Sequence, residues 1–101
     1  MKEVRRSSIY VNWFKKLRDR RARMRIFARV ERLANGNSGD VKPVGEGIFE
    51  LRIDYGPGYR VYFKDTEKEI IILFCGGDKR TQTADIIAAK KIAKSYELEE
   101  K

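Results

Sequence analysis

The sequence predicts a single α+β domain in which a β-hairpin and a later apolar strand form a sheet against helices. Residues 49–63 alternate apolar and polar side chains on either side of a glycine–proline–glycine turn, which is typical of two paired strands. Residues 20–34 carry apolar side chains at helical spacing, and residues 70–74 form an uninterrupted apolar run. A chain of 101 residues can bury one hydrophobic core but not two, so residues 1–101 are interpreted as one domain.

The first third of the chain is predicted to form a strand and two helices. Residues 4–6 suit an edge strand, after which Ser7 or Ser8 can cap a first helix. Asp19 can cap a second helix, which Asn35 and Gly36 would end. The apolar residues of the first helix are Val11, Trp13, Phe14 and Leu17. The second helix has an apolar face of Ala22, Ile26, Phe27, Val30, Leu33 and Ala34, and an opposite face of Arg20, Arg21, Arg23, Arg25, Arg29 and Arg32.

This arginine face has three interpretations. Arginine is a good helix former, so the residues can simply provide a solvated surface. The same guanidinium groups would attract phosphate over a broad area, with an affinity that depends on salt. A surface that binds an acidic partner is the third interpretation, and helical spacing does not separate them.

The hairpin in residues 49–63 contains the candidate site. Side chains of one parity share one face of a strand, so the hairpin separates two sets of residues. The set predicted to face the core is Phe49, Leu51, Ile53, Tyr59, Val61 and Phe63. The set predicted to lie on an open face of the sheet includes Glu50, Arg52, Arg60 and Tyr62. Two arginines, a carboxylate and a phenol on one surface are candidates for binding an anionic group.

The remaining segments are assigned from turn residues and apolar spacing. Residues 37–47 contain Pro43 and several glycines and are interpreted as a loop. Residues 70–74 are interpreted as a buried, central strand, which residues 76–80 would end. Thr81 or Thr83 can then cap a last helix. The apolar stripe of that helix contains Ile86, Ala89, Ala93 and Tyr96.

Composition restricts the possible chemistry. The chain has 23 Lys and Arg against 15 Asp and Glu, a formal charge of +8, which favours an anionic partner, nucleic acid first and a membrane surface or an acidic protein second. It has no histidine, which excludes the usual zinc sites, a Ser-His-Asp triad and a paired-histidine ribonuclease mechanism. Acid and base groups must therefore come from Asp, Glu, Lys or Tyr, and no metal or cofactor is expected.

The compartment is predicted from cysteine content and hydropathy. Cys75 is the single cysteine, so no intramolecular disulfide can form, which suits a reducing environment. The longest apolar run, residues 70–75, is too short to cross a bilayer. We therefore expect a soluble, cytoplasmic protein with no membrane association.

In this order, the predicted elements and four segments resemble the RelE/ParE toxin superfamily, in particular the HigB-like group described as addiction module killer proteins. The segments are residues 13–17 (WFKKL), 36–42 (GNSGDVK), 50–62 (ELRIDYGPGYRVY) and 75–79 (CGGDK). The resemblance covers almost the whole chain. It implies a small antiparallel four-stranded sheet with two N-terminal helices and a C-terminal helix packed on one face. The opposite, concave face would hold the functional site.

The resemblance implies the toxin of a type II toxin–antitoxin system. RelE-like and HigB-like members are ribosome-dependent, metal-independent endoribonucleases, and their cleavage of mRNA inhibits translation and arrests growth. The partners would be mRNA on the ribosome and a cognate antitoxin, a small protein with a helix-turn-helix domain. The resemblance also allows two alternatives, since ParE-like members poison DNA gyrase and a non-catalytic relative would only bind its partner.

The resemblance carries roles to individual residues. Arg52 and Arg60 fall at basic strand positions that, in the nuclease members, orient the 2′-hydroxyl and stabilise the scissile phosphate. Lys79 falls at a later basic position, with Arg80 as the alternative. Glu50 stands where a second strand lysine is often found, and the tyrosine that these members often have near the C-terminus has no counterpart.

Cleavage of RNA by its own 2′-hydroxyl needs a base, cations that stabilise the developing charge, and an acid. Arg52 and Arg60 suit the cationic role because a planar guanidinium can grip two phosphate oxygens. Glu50 is the candidate base, and Lys79 or Tyr62 is the candidate acid. In a purely structural interpretation, the same residues of the hairpin would only form cross-strand ion pairs.

Overall fold

The computed structural model describes residues 1–66 and 68–99, with side chains described up to Tyr96. In this part of the chain the elements are β1 (Glu3–Arg6), α1 (Ser8–Lys16), α2 (Arg20–Ala34), β2 (Val41–Gly45), β3 (Ile48–Ile53), β4 (Tyr59–Asp65), β5 (Ile70–Asp78) and α3 (Gln82–Glu99), with a 3₁₀ turn at Lys79–Thr81. None of the helices in the described residues has the length and apolar character that a membrane span requires.

The two N-terminal helices begin where the sequence predicts, and α2 also ends there. The Ser7 hydroxyl accepts a hydrogen bond from an amide in the first turn of α1 at 3.0 Å and donates one to the Phe74 carbonyl at 2.5 Å. It therefore caps α1 and fixes the helix to β5. The Asp19 carboxylate accepts bonds from two amides at the start of α2, at 3.0 and 3.2 Å. α2 ends at Ala34, followed by Asn35 at the C-cap and by Gly36, whose φ of 92° is one that glycine adopts readily.

The sheet has five strands in the order β1-β5-β4-β3-β2, so the prediction of four strands is wrong. The additional strand is β2, whose Pro43 and Gly45 are typical of a loop. β2 pairs with β3 at the edge of the sheet, where the missing amide of Pro43 is tolerated. β1 runs parallel to β5, so the prediction of a wholly antiparallel sheet is wrong for this pair. The edge position of β1 and the central position of β5 are confirmed.

Helices cover both faces of the sheet. α1 and α2 pack on one face, and their core is formed with Leu51, Ile53, Tyr59, Val61, Phe63, Ile71 and Leu73 of the strands. α3 packs on the other face, so the prediction that all three helices share one face is wrong. Ala89 and Ala93 of its predicted stripe are buried there against Ile48, Tyr62, Ile72, Phe74 and Cys75. The apolar run of β5 places apolar side chains on both faces of the sheet, and each face then needs a cover.

Two glycines allow helices to approach β5 from opposite sides. A Cβ on Gly76 would lie 2.3 Å from Cζ3 of Trp13, and a Cβ on Gly77 would lie 1.8 Å from Oδ2 of Asp85. Trp13 belongs to α1 and Asp85 to α3, so any larger residue would collide with one helix or the other. The strand continues through both glycines and ends at Asp78, within the segment 76–80 that is predicted to end it, so β5 is longer than the predicted strand of residues 70–74.

Candidate functional site

The register of the hairpin brings four predicted site residues onto the α3 side of the sheet. β3 and β4 pair with Glu50 opposite Tyr62 and Arg52 opposite Arg60. The exposed fractions are 1% for Glu50, 0% for Tyr62 and 7% for Arg60. The prediction of an open face is therefore wrong for these three residues, because α3 covers this part of the sheet. Arg52 is partly exposed.

A pocket of about 400 Å³ opens beside the start of α3, and we call it the hairpin pocket. Its walls are formed by Asp40, Arg52, Asp54, Gly56, Pro57, Gly58, Arg60 and Lys79. The fold thus brings together three of the residues predicted from sequence, which are Arg52, Arg60 and Lys79. Glu50 and Tyr62 do not line the pocket and lie behind it.

Lys79 reaches the hairpin pocket from the 3₁₀ turn that follows β5. Asp78 caps this turn by accepting a hydrogen bond from the Arg80 amide at 2.8 Å. The Arg80 guanidinium forms an ion pair with the same carboxylate at 2.9 Å and lowers the pKa of Asp78. Arg80, the alternative to Lys79 in the sequence, is therefore held by Asp78 and does not line the pocket. Thr81 lies within the turn, and α3 begins at Gln82.

A buried network centred on Glu50 lies behind the pocket. Oε2 of Glu50 accepts hydrogen bonds from the Tyr62 hydroxyl at 3.0 Å and from Nε2 of Gln82 at 2.8 Å. Oε1 faces Nε of Arg60 at 3.7 Å and Nε of Arg52 at 4.0 Å. Oε1 of Glu50 and Nε of Arg60 are both buried, and neither forms a hydrogen bond.

The environment of Tyr62 keeps its phenol protonated. Burial first, and then the charge and the hydrogen bond of Glu50, raise the pKa of Tyr62 far above its ordinary value. The phenol therefore keeps its proton and donates a hydrogen bond to Glu50 at any physiological pH. The predicted roles of Glu50 as a base and Tyr62 as an acid require contact with substrate, and neither side chain is accessible in this arrangement.

Two groups of contacts hold the walls of the pocket against α2. Arg29 donates hydrogen bonds to the Arg52 carbonyl at 2.5 Å and to two carbonyls of the loop before β2 at 3.1 and 3.5 Å. The Tyr55 hydroxyl, in the β3–β4 turn, donates to Asp19 at 3.1 Å. The Arg25 guanidinium lies 4.7 Å from the centre of the Tyr55 ring, a cation–π contact. Part of the arginine face of α2 therefore supports the site from within the chain.

Sequence reasoning missed three residues of the site. Asp54 continues the polar parity of β3 beyond Glu50 and Arg52, so the alternation contains the signal that would have found it. Asp40 precedes β2, and its place in the pocket wall depends on a strand that the sequence does not indicate. Gln82 bonds Glu50 only because α3 packs on the hairpin's second face, which was not predicted.

The five-stranded sheet, the helices on both faces and the hairpin pocket define a small α+β protein with a RelE-like fold. A mutant of the E. coli toxin RelE in the free state matches the structure with a TM-score of 0.69 and 16% sequence identity, over 90% of this chain and 97% of that chain. A chain from the crystal structure of the intact E. coli RelBE toxin–antitoxin complex matches with a TM-score of 0.68 and 12% identity, over 77% of this chain and 96% of that chain. Such low identities demonstrate a common fold alone.

The family follows from the sequence itself. Residues 12–97 match the family described as Phage derived protein Gp49-like (DUF891), and the chain belongs to that family. A Haemophilus influenzae protein described as uncharacterized is 48% identical over 96 residues, which is 95% of this chain and 97% of the relative. The predicted resemblance to the RelE/ParE superfamily is confirmed at the level of fold, and the HigB-like grouping stays a prediction.

Proposed function

We propose that this protein is the toxin of a type II toxin–antitoxin pair of the HigB-like group, and that it cleaves mRNA on the ribosome without a metal. The proposal is supported by the fold shared with the E. coli toxin RelE, by the likeness to a chain of a toxin–antitoxin complex and by the hairpin pocket. Its partners are then ribosome-bound mRNA and a small helix-turn-helix antitoxin, both in the cytoplasm.

The observation that carries the proposal is the convergence of Arg52, Arg60 and Lys79 on one pocket. Guanidinium and ammonium groups can contact the non-bridging oxygens of a phosphodiester. The overall charge of +8 would draw RNA towards the protein. Asp40 and Asp54 share the walls, so the pocket combines cations that bind phosphate with carboxylates that can accept a proton.

In the proposed reaction, the 2′-oxygen of the RNA attacks the adjacent phosphorus and the bond from phosphorus to the 5′-oxygen breaks. The products are a 2′,3′-cyclic phosphate and a 5′-hydroxyl. Arg52 and Arg60 stabilise the negative charge that develops on the phosphoryl oxygens. The proton of the 2′-hydroxyl passes to an exposed carboxylate of the pocket, Asp40 or Asp54. Lys79 gives a proton to the departing 5′-oxygen.

Induced expression tests this function. It should arrest growth, and mRNA from arrested cells should contain new 5′ ends at codons occupied by ribosomes. Arg52→Ala and Arg60→Ala should each lower cleavage by about 100- to 1000-fold, because each removes a donor to the developing charge. Arg32→Ala, which removes an exposed arginine of α2 outside the pocket, should leave cleavage unchanged. Full cleavage by both pocket variants would contradict the assignment.

Poisoning of DNA gyrase without RNA cleavage is a second candidate function. The burial of Glu50 and Tyr62 favours it, because two of the five predicted catalytic residues do not reach solvent. Intact transcripts together with an SOS response in arrested cells would support this function. Normal growth after induction, with antitoxin binding retained, would instead indicate a non-catalytic relative.

A further inference from the structure

Glu50 lies beneath the hairpin pocket at an energetic cost. Its side chain is 1% exposed, and a buried carboxylate is unfavourable unless it is paired and hydrogen-bonded. Oε2 is satisfied, since it accepts bonds from Tyr62 and Gln82 at 3.0 and 2.8 Å. Oε1 accepts no hydrogen bond and lies 3.7 Å from Nε of Arg60, which is itself buried and unbonded. Oε2 is thus held by two hydrogen bonds, whereas Oε1 only attracts the guanidinium of Arg60.

Such an arrangement is poorly suited to stabilising the fold. Buried ion pairs often contribute less stability than apolar side chains of the same volume, and this pair lacks the hydrogen bond that would offset its desolvation. The arrangement instead fixes the orientation of the Arg60 guanidinium. Attraction by Oε1 holds the Nε edge of Arg60 inward, while Nη1 donates a hydrogen bond to the Tyr59 carbonyl at 3.2 Å. The two terminal nitrogens lie beside Gly58 in the pocket wall, 3.5 and 4.0 Å from the position of a Cβ on that glycine.

We propose that Glu50 is a positioning residue, and that Tyr62 and Gln82 hold its carboxylate so that Arg60 presents its guanidinium to an anion in the hairpin pocket. That the anion is an RNA phosphate rests on the proposed function, whereas the positioning of Arg60 does not. Gln82 is the first residue of α3, so the seating of this helix on the sheet is linked to the geometry of the pocket.

Arg52 depends less on Glu50 than Arg60 does. Nε of Arg52 lies 4.0 Å from Oε1 of Glu50 and 3.8 Å from Oδ2 of Asp40, so two carboxylates compete for it. Its side chain is 39% exposed, against 9% for Arg60. Removal of the Glu50 charge should therefore disorder Arg60 more than Arg52.

The order of the Arg60 side chain can be measured without RNA. In ¹⁵N-labelled protein, the heteronuclear NOE of Arg60 Nε should be close to the backbone values. In Glu50→Gln it should fall towards the value of the exposed Arg32 Nε, and the remaining bond from Nη1 to the Tyr59 carbonyl should keep it above that value. Tyr62→Phe removes one bond to the carboxylate while it keeps the ring, so it should give an intermediate value even if Glu50→Gln does not fold. Glu31→Gln removes a carboxylate from α2 and should have no effect. An unchanged NOE in every Glu50 or Tyr62 variant that folds would overturn the proposal.

Binding of a 2′-O-methyl RNA hexamer tests whether the anion in the hairpin pocket is an RNA phosphate. The hexamer lacks the 2′-hydroxyl needed for cleavage, so it stays intact during the measurement. Glu50→Gln makes the protein more positive, so electrostatics alone predicts tighter binding, as for Glu31→Gln. Loss of Arg60 positioning predicts binding about tenfold weaker. Equal or tighter binding by Glu50→Gln would overturn the claim that the ordered guanidinium serves an anion. If the wild type does not bind the hexamer while Arg60 still loses order in Glu50→Gln, the pocket does not bind the phosphates of free RNA and the positioning stands. Failure of the proposed function is a separate outcome, shown by intact transcripts after induced expression.

Discussion

Alanine at position 76 would place a methyl group against the indole ring of Trp13. Three ring carbons would lie 2.3, 2.4 and 2.6 Å from the new Cβ, whereas carbon atoms in contact are about 3.5–4.0 Å apart. The ring must therefore move by more than about 1 Å. It is packed between the rings of Tyr10 and Tyr59, at centroid distances of 5.7 and 6.5 Å, so the displacement would spread into the core.

We expect Gly76→Ala to lower the free energy of unfolding by about 3 kcal/mol, at the upper end of the usual cost of overpacking. For a domain of this size, such a loss lowers the melting temperature by roughly 12–24 °C. Urea titration and thermal melting, both followed by circular dichroism, would measure the change. Gly36→Ala is the control, because no atom lies within 4 Å of its Cβ and only the φ of 92° is unfavourable, which costs about 1–2 kcal/mol.

A second substitution separates the collision from other effects of alanine. Trp13→Leu removes the ring carbons that the new methyl group meets, so it should cost less in the Gly76→Ala background than in the wild type. The difference should be at least about 1 kcal/mol, as is usual for residues in contact. Strictly additive effects, or a Gly76→Ala protein within about 0.5 kcal/mol of the wild type, would refute the steric argument.

Two further predictions concern the wall of the hairpin pocket and the buried groups Cys75 and Tyr10. Arg29→Ala should lower the free energy of unfolding by about 2–3 kcal/mol, because it removes charged donors to carbonyls of β3 and of the loop before β2. Urea titration would measure the loss, with Arg32→Ala as the control. Equal stability of the two variants would contradict the prediction. Burial raises the pKa of Cys75 and of Tyr10 to about 12, so the folded state keeps protons that the unfolded state loses. This contribution to the free energy of unfolding should be fully present below about pH 9 and should be lost as the pH rises to 12. Urea titrations from pH 8 to 12 would measure the fall, and Cys75→Ala should make it less steep. A free energy of unfolding that does not change over this range would exclude the mechanism.

The helix ends and the pairing of the hairpin could be predicted because they depend on residues close in sequence. Ser7 and Asp19 cap their helices through amides two or three residues away. The alternation in residues 49–63 places Arg52 opposite Arg60 once the turn is located. No distant part of the chain has to be known for either conclusion.

The face covered by α3 could not be predicted from the alternation. Tyr62 alternates with Val61 and Phe63, so the alternation assigns it to the polar side, although Tyr62 is 0% exposed and only its hydroxyl is polar. Ile72 and Phe74 complete an apolar surface on the same face, and α3 packs on it. The burial of Glu50 follows from this packing, which is why an accessible base was expected where the structure has an enclosed carboxylate.

The hairpin pocket was predicted in part for a similar reason. Its cations come from segments with clear signals, since Arg52 and Arg60 lie on the hairpin and Lys79 follows an apolar strand. Asp40 comes from a segment whose proline and glycines hide a strand, because an edge position tolerates both. Residues with strong local signals could therefore be found, and those placed by sheet edges could not.

The parallel pairing of β1 with β5 has a consequence for synthesis of the protein. Glu3 pairs with Ile70, so β1 cannot join the sheet until 67 further residues have been synthesised. Their synthesis takes roughly 3 to 13 s at about 5–20 residues per second. Lys79 and the helix that carries Gln82 are made later still. A protein that we propose attacks translating ribosomes therefore has no formed pocket while most of its own chain is being translated.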